Sequence, residues 1–242
     1  MNNQNAATND ATAQAITAGA KSGEHEALLD VFLDDHAEWQ RWRTWSDETT
    51  HAVHESLALR AELVHEPGAP DVRWRFAVYE SPVGARLWHA TAFSSTPTEV
   101  IGALLLSLAT RAAEYPRMDN LTSDKALVEA TLPLADSGWT PAAEAPGWVR
   151  WRSANDDFFL RHDTLADRGT DSPAAWVLSG RDRNRSRWTI VFSATAPPLA
   201  LTAVTEALAD CEARLRQHTT PRSLTHCQPQ PPAPPAHGRR GR

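Results

Sequence analysis

The sequence predicts an α+β protein of two repeated units, each a roughly four-stranded antiparallel sheet with helices packed on one face. Three observations carry that prediction. The chain resembles itself: Phe93-Ser94-Ser95-Thr96-Pro97 leading into VIGALLLSLA is echoed by Phe192-Ser193-Ala194-Thr195-Ala196-Pro197 leading into LALTAVTEALADCEARL. Ahead of each of these helices, apolar residues alternate with polar ones at the period of a half-buried strand. Within each helix they recur at spacings of three and four, the stripe of a helix lying on a sheet or against its twin.

The elements follow in order. Leu28, Phe32, Trp39 and Trp42 fall near one face of a helix over residues 25 to 43. Residues 72 to 79 place Val72, Trp74, Phe76 and Val78 opposite Arg73, Arg75, Ala77 and Tyr79, the alternation of a strand with one buried face. Thr96-Pro97-Thr98-Glu99 supplies a capping residue, a proline at the first helical position and an early glutamate, and the helix runs to about Ala113. Its stripe of Ile101, Leu104, Leu105 and Leu108 contributes roughly 6 to 10 kcal/mol if fully buried, before conformational entropy is subtracted. Residues 124 to 137 form a helix that Pro133 either splits or restarts. WVRWR, SANDD and FFLRH over 148 to 162 read as a hairpin whose turn is supplied by Asn155 and Asp156. Trp188, Ile190 and Phe192 alternate with Thr189, Val191 and Ser193, and Leu201, Val204, Leu208, Cys211 and Leu215 mark the last helix.

Pairing the copies sets Trp74 against Trp176 and Trp88 against Trp188, with weaker matches of Trp45 to Trp139 and of 56–66 to 153–163. Trp88 precedes Phe93 by five residues and Trp188 precedes Phe192 by four. Either one copy carries a bulge or these two phenylalanines are not counterparts.

Residues 1 to 23 hold no aromatic residue and residues 218 to 242 hold six of the seventeen prolines, so both ends are expected to be disordered. The units are then 24 to 116 and 117 to 217. The formal net charge of −6 includes Arg222, Arg239, Arg240 and Arg242 in a tail without acidic residues, which leaves −10 on the rest. So acidic a body opposes a broad nucleic-acid face but leaves room for a local basic patch. Two cysteines, Cys211 and Cys227, make no disulfide framework. The beginning of the chain has no secretory pattern and no stretch approaches 18 apolar residues, so a cytoplasmic protein with no membrane contact is expected.

A Gly-Trp or Trp near the start of each unit, a Trp-containing hairpin, then Trp, Phe-Ser, Thr and Pro ahead of an amphipathic helix resembles the actinobacterial domain-of-unknown-function family DUF317. The second copy carries it over about 80 residues, through Gly138-Trp139, the hairpin, Trp176, Trp188, Phe192-Ser193, Thr195 and Pro197. The first carries it from Trp74 to Leu108. The Thr-Pro-x-Glu run of the family stands in copy one and becomes Ala196-Pro197-Pro198-Leu199 in copy two. The resemblance implies a fold and no catalytic residues.

Ten tryptophans invite a partner surface, and Trp39 and Trp42 are the candidates, since the repeat-equivalent ones belong to the scaffold. Arg181, Arg183, Arg185 and Arg187 alternate through RDRNRSR, so a hairpin there could present guanidinium groups to phosphate or an acidic partner. His51 and His54 would point to opposite faces of a strand and lack accompanying metal motifs, so no metal or cofactor is expected. Asp34, Asp35, His36 and Glu38 read as a solvated helix face and Cys211 as a core residue. With no nucleophile elbow, phosphate loop or dinucleotide fingerprint, the sequence assigns no activity. The leading reading is a non-catalytic protein-binding or scaffold module, using an aromatic surface or the Pro-rich tail. The alternative is a nucleic-acid-associated accessory protein using the Arg-rich hairpin and basic tail. A hidden enzyme would need a polar pocket between the units.

Overall fold

The computed structural model describes residues 22–43, 48–65, 72–115, 124–166, 174–181 and 187–219. Most of both expected disordered ends, with Arg183, Arg185 and Trp45, lie outside the described residues.

In chain order the elements are α1 (Ser22–Asp35), β1 (Trp39–Arg43), β2 (Thr49–His54), β3 (Leu59–Val64), β4 (Val72–Tyr79), β5 (Arg86–Phe93) and α2 (Thr98–Thr110). Then follow α3 (Asp124–Asp136), β6 (Thr140–Ala145), β7 (Trp148–Arg152), β8 (Phe158–Asp163), β9 (Ala174–Arg181), β10 (Arg187–Ser193) and α4 (Pro198–Thr219). The α+β class and the duplication stand, but the sheets do not: there is one ten-stranded antiparallel sheet, ordered β1-β2-β3-β4-β5-β10-β9-β8-β7-β6. Each half supplies five strands rather than four.

The fifth strand comes from residues assigned by sequence to the first helix. That helix stops at Asp35, where His36 Nδ1 bonds the Phe32 carbonyl at 2.9 Å and Asp34 and Asp35 sit unfavourably at the negative end of the dipole. The chain turns through a Trp39 N–H to His36 carbonyl bond of 2.9 Å, and β1 pairs with β2 from Trp39 against His54 to Arg43 against Thr50. Pro133 is accommodated inside α3, which ends where Gly138, at φ +84°, lets its own N–H and that of Trp139 reach the Ala135 and Leu134 carbonyls.

The halves join through β5 and β10, with Ile190 opposite Ala92, Val191 opposite Thr91 and Phe192 opposite Ala90. Those pairs exchange if 100 is added to or subtracted from each number, so a pseudo-twofold axis passes between Thr91 and Val191. The same offset of 100 relates Trp88 to Trp188, Pro97 to Pro197 and Trp39 to Trp139, the last two being buried tryptophans at the start of each edge strand. Trp39, not Trp45, is therefore the counterpart of Trp139. Phe192 corresponds to Ala92, and Phe93 to Ser193. A bulge does exist, but in both copies: the register slips between Val72 and Trp74 against β5, and between Phe192 and Ser193 where β10 meets β9. It turns two consecutive side chains inward, so Ala175 and Trp176 are both fully buried and Arg73 reaches Glu26 of α1.

Trp74, Trp88, Trp176 and Trp188 form the inner layer, each at most 1% exposed, under the stripe Val100, Ile101, Leu104, Leu105 and Leu108 of α2 and Leu201, Val204 and Leu208 of α4. The Thr96 hydroxyl does not cap α2. It crosses the seam to the Thr189 carbonyl at 3.2 Å, while Ser193 Oγ accepts the His89 N–H at 3.1 Å. Gly180 occupies the place that Val78 holds in the first half, because a Cβ there would sit 2.5 Å from the rings of both Phe158 and Trp188. Gly180→Ala is expected to destabilise the protein by about 1–3 kcal/mol through overpacking, read from the shift in urea midpoint.

His25 is fully buried and fixed in one neutral tautomer: Nδ1 accepts the Trp74 indole N–H at 2.9 Å, leaving the Nε2 proton to donate to the Ser94 carbonyl at 3.0 Å. Burial lowers its pKa below 6.5, and His65 is shifted the same way by its own desolvation. The unfolded chain then binds more protons below pH 6.5, so stability is full above that pH and falls as pH drops toward the folded values. The urea midpoint should decrease between pH 7.5 and pH 5, with a shallower slope in His25→Gln; equal slopes would show that His25 is not a source of the loss.

Candidate functional site

All four helices cover the face of the sheet that carries the tryptophan layer. The opposite face carries the alternate residues of every strand, none covered by a described helix. Register places Trp42, His51, Glu62, Arg75 and Thr91 in one row across the first half, continuing through Val191, Val177, Arg161, Arg150 and Ala142 across the second. Arg60, Arg86 and His89 lie beside this row in the first half, and Arg152, Phe159, Arg181 and Arg187 in the second.

Among the described residues, eight arginines thus share this face with four carboxylates, Glu62, Glu144, Asp156 and Asp163, Asp156 lying 3.7 Å from Arg152. The arginines are held in position. Arg60 lies over the Tyr79 ring at 4.6 Å and donates to the Pro82 carbonyl at 3.2 Å. Arg150 lies over Phe159 at 4.2 Å and Arg161 over Trp148 at 4.5 Å, both bonded to Glu144, at 2.9 and 2.6 Å. Arg187 lies over the same Phe159 ring at 5.9 Å. Glu62 lies 3.8 Å from Arg75 and 3.5 Å from His51. These largely half-buried pairs orient the guanidinium groups, and eight arginines against four carboxylates leave the face an excess of positive charge.

Two adjoining depressions mark the first half. One, of about 140 Å³, is lined by Arg60, Glu62, Arg75, Tyr79, Arg86 and His89. The other, of about 480 Å³, is bounded by Trp42, Val53, Leu57, Pro82 and Val83, with His51, Arg60 and Glu62 at its edge. Trp42 is 57% exposed, Leu57 45% and Val83 97%. Leu57 stands at φ +58°, a left-handed conformation that costs a non-glycine residue about 1–2 kcal/mol. Its counterpart in the 153–157 turn is Asp156 at φ +57°, a residue type that tolerates the conformation. The left-handed Leu57 and the exposed Trp42 thus line the same depression.

Of the sequence candidates, Trp42 lines the larger depression. Trp39 does not reach a surface: it is 4% exposed, wedged edge-on between Phe32 at 5.2 Å and His54 at 5.5 Å, because it opens a strand instead of facing out from a helix. Arg181 and Arg187 are exposed and opposite each other at the ends of β9 and β10. The other arginines of the face escaped notice as a group, although Arg75, Arg150 and Arg152 each alternate with a buried aromatic in RWRF and WVRWR. The displaced ionisable groups lie outside both depressions. Burial raises Glu99 and pushes Tyr115 and Cys211 up to about 12, which keeps that thiol protonated and inert. Among the described residues no group of three or more His, Cys, Asp or Glu could hold a metal ion, and no helix is long and apolar enough to cross a membrane.

A family model for SPDY, a domain of unknown function (DUF317), matches residues 55–114 and 147–213, more than half of the chain. The chain belongs to the SPDY (DUF317) family. The two segments cover β3 to α2 and β7 to α4, so the family pattern occurs twice, once in each half. Arg60, Arg75, Arg86, Arg150, Arg152, Arg161, Arg181 and Arg187 fall inside the matched segments, whereas Trp42, His51 and Val53 fall outside. No curated protein and no solved structure matches the chain.

Leu57→Asn is expected to stabilise the free protein by up to about 1 kcal/mol, because asparagine accepts the left-handed conformation. A higher melting temperature checks it; a loss of several degrees would mean that the Leu57 side chain packs as core.

Proposed function

We propose that this SPDY (DUF317) protein is a non-catalytic binding module that takes an anionic macromolecular partner on the helix-free face of its sheet. One observation carries the reading: among the described residues eight arginines stand against four carboxylates there, in a chain whose formal net charge is −6. Charge separated in this way steers an anionic partner to one face while the rest of the surface repels it. The guanidinium groups stacked on Tyr79, Phe159 and Trp148 are ordered before the partner arrives, which lowers the entropic cost of binding.

The scaffold reading draws on the same features, because the pseudo-symmetric sheet is rigid and its buried perturbed groups serve packing. A catalytic site between the halves finds no support in the seam, where β5 and β10 are joined by backbone pairing and by the Thr96 and Ser193 hydroxyls.

The full chain should be retained on immobilised heparin and elute at higher salt than the double variant Arg75→Glu/Arg161→Glu, with both proteins melting within a few degrees of each other. Val128→Asp on the exposed side of α3 should elute slightly earlier at most. Equal elution of the double variant and the unmodified chain would refute the binding face.

A further inference from the structure

The arginine face is a track for a single-stranded nucleic acid, we infer, with an unpaired base received in the Trp42–Leu57–Val83 depression and the neighbouring phosphates held by Arg60, Arg75 and Arg86. The inference rests on the anionic-partner reading above and names the partner. Three features select this occupant. The sheet is ten strands wide, about 43 Å at the usual strand spacing, so cationic groups recur along a line rather than at a point. Four of those cations, Arg60, Arg150, Arg161 and Arg187, are planar guanidiniums already lying on aromatic rings, surfaces on which bases stack as they do on the rings themselves. And the phosphate-binding charges adjoin an apolar depression of about 480 Å³ with an exposed indole at its wall, a combination that suits a nucleotide, which is anionic at one end and a flat apolar plate at the other. An acidic peptide would satisfy the arginines and leave that apolar wall with nothing to cover it. In a duplex the bases are stacked on one another and cannot reach the indole.

The experiment is fluorescence anisotropy of a labelled mixed-sequence 20-nucleotide single strand titrated with the full chain between 50 and 200 mM salt. The same-length duplex and a polyglutamate peptide are run beside it. Single-stranded binding should be the tightest of the three and weaken steeply with salt. Arg60→Ala and Arg75→Ala should each weaken it and reduce the salt slope by about one. Trp42→Ala should weaken it roughly 5- to 150-fold with the salt slope unchanged, since the indole carries no charge. Each variant is first shown by its melting curve to be folded. Polyglutamate bound in preference to the single strand would overturn the nucleic-acid inference and leave the anionic-partner reading standing. Binding of none of the three polyanions would overturn both. Single-strand binding indifferent to Arg60, Arg75 and Trp42, or duplex binding of equal strength, would also overturn the inference.

Discussion

The pairing of β5 with β10 is the contact on which the rest of the structure depends. Each half ends its sheet in an eight- or seven-residue strand whose outer edge carries unpaired backbone groups, and an edge of that length is a template for uncontrolled association. Antiparallel pairing about Thr91 and Val191 satisfies both edges with each other. It also sets α2 against α4, so that one tryptophan layer underlies both halves. With those helices committed to one side, the other side of all ten strands is left without helical cover, and that is where the arginines gather.

The duplication is used unevenly. The two copies share the tryptophan positions and the bulge of the inner face, while other buried positions trade volume, Ala90 and Ala92 against Ile190 and Phe192 and Val78 against Gly180. They also differ on the outer face. The first half has a strained Leu57, an exposed Trp42 and two depressions, while the second has guanidiniums stacked tightly over Trp148 and Phe159 and joined through Glu144. Duplication supplied the frame, and the halves were then free to diverge where no core constrained them.

Much of the fold was legible from residue order alone. The repeat, the α+β class, the α2 and α4 stripes and the Asn155-Asp156 turn all rest on local periodicity, and local periodicity survived folding. What misled was the stretch from Phe32 to Trp42, whose spacings of seven and three fit a helix, although the chain breaks at Asp35 and resumes as a strand. The choice depends on β2 being there to pair with β1, which no local pattern encodes. The union of the two sheets was hidden for the same reason. The candidate face was half visible: Arg75, Arg150 and Arg152 each show their outward alternation, but their alignment across strands far apart in sequence is set by register. Trp39 and Trp42 were grouped as one candidate surface, but three is an odd number of steps along a strand, so Trp42 is exposed and Trp39 is buried.

The seam has a further effect on how the molecule comes apart. Because backbone hydrogen bonds run from β1 to β6 and α2 packs on α4, opening one half would bare the β5 or β10 edge and the helix face of the other. A partner seated on the outer face across the seam would brace both halves at once.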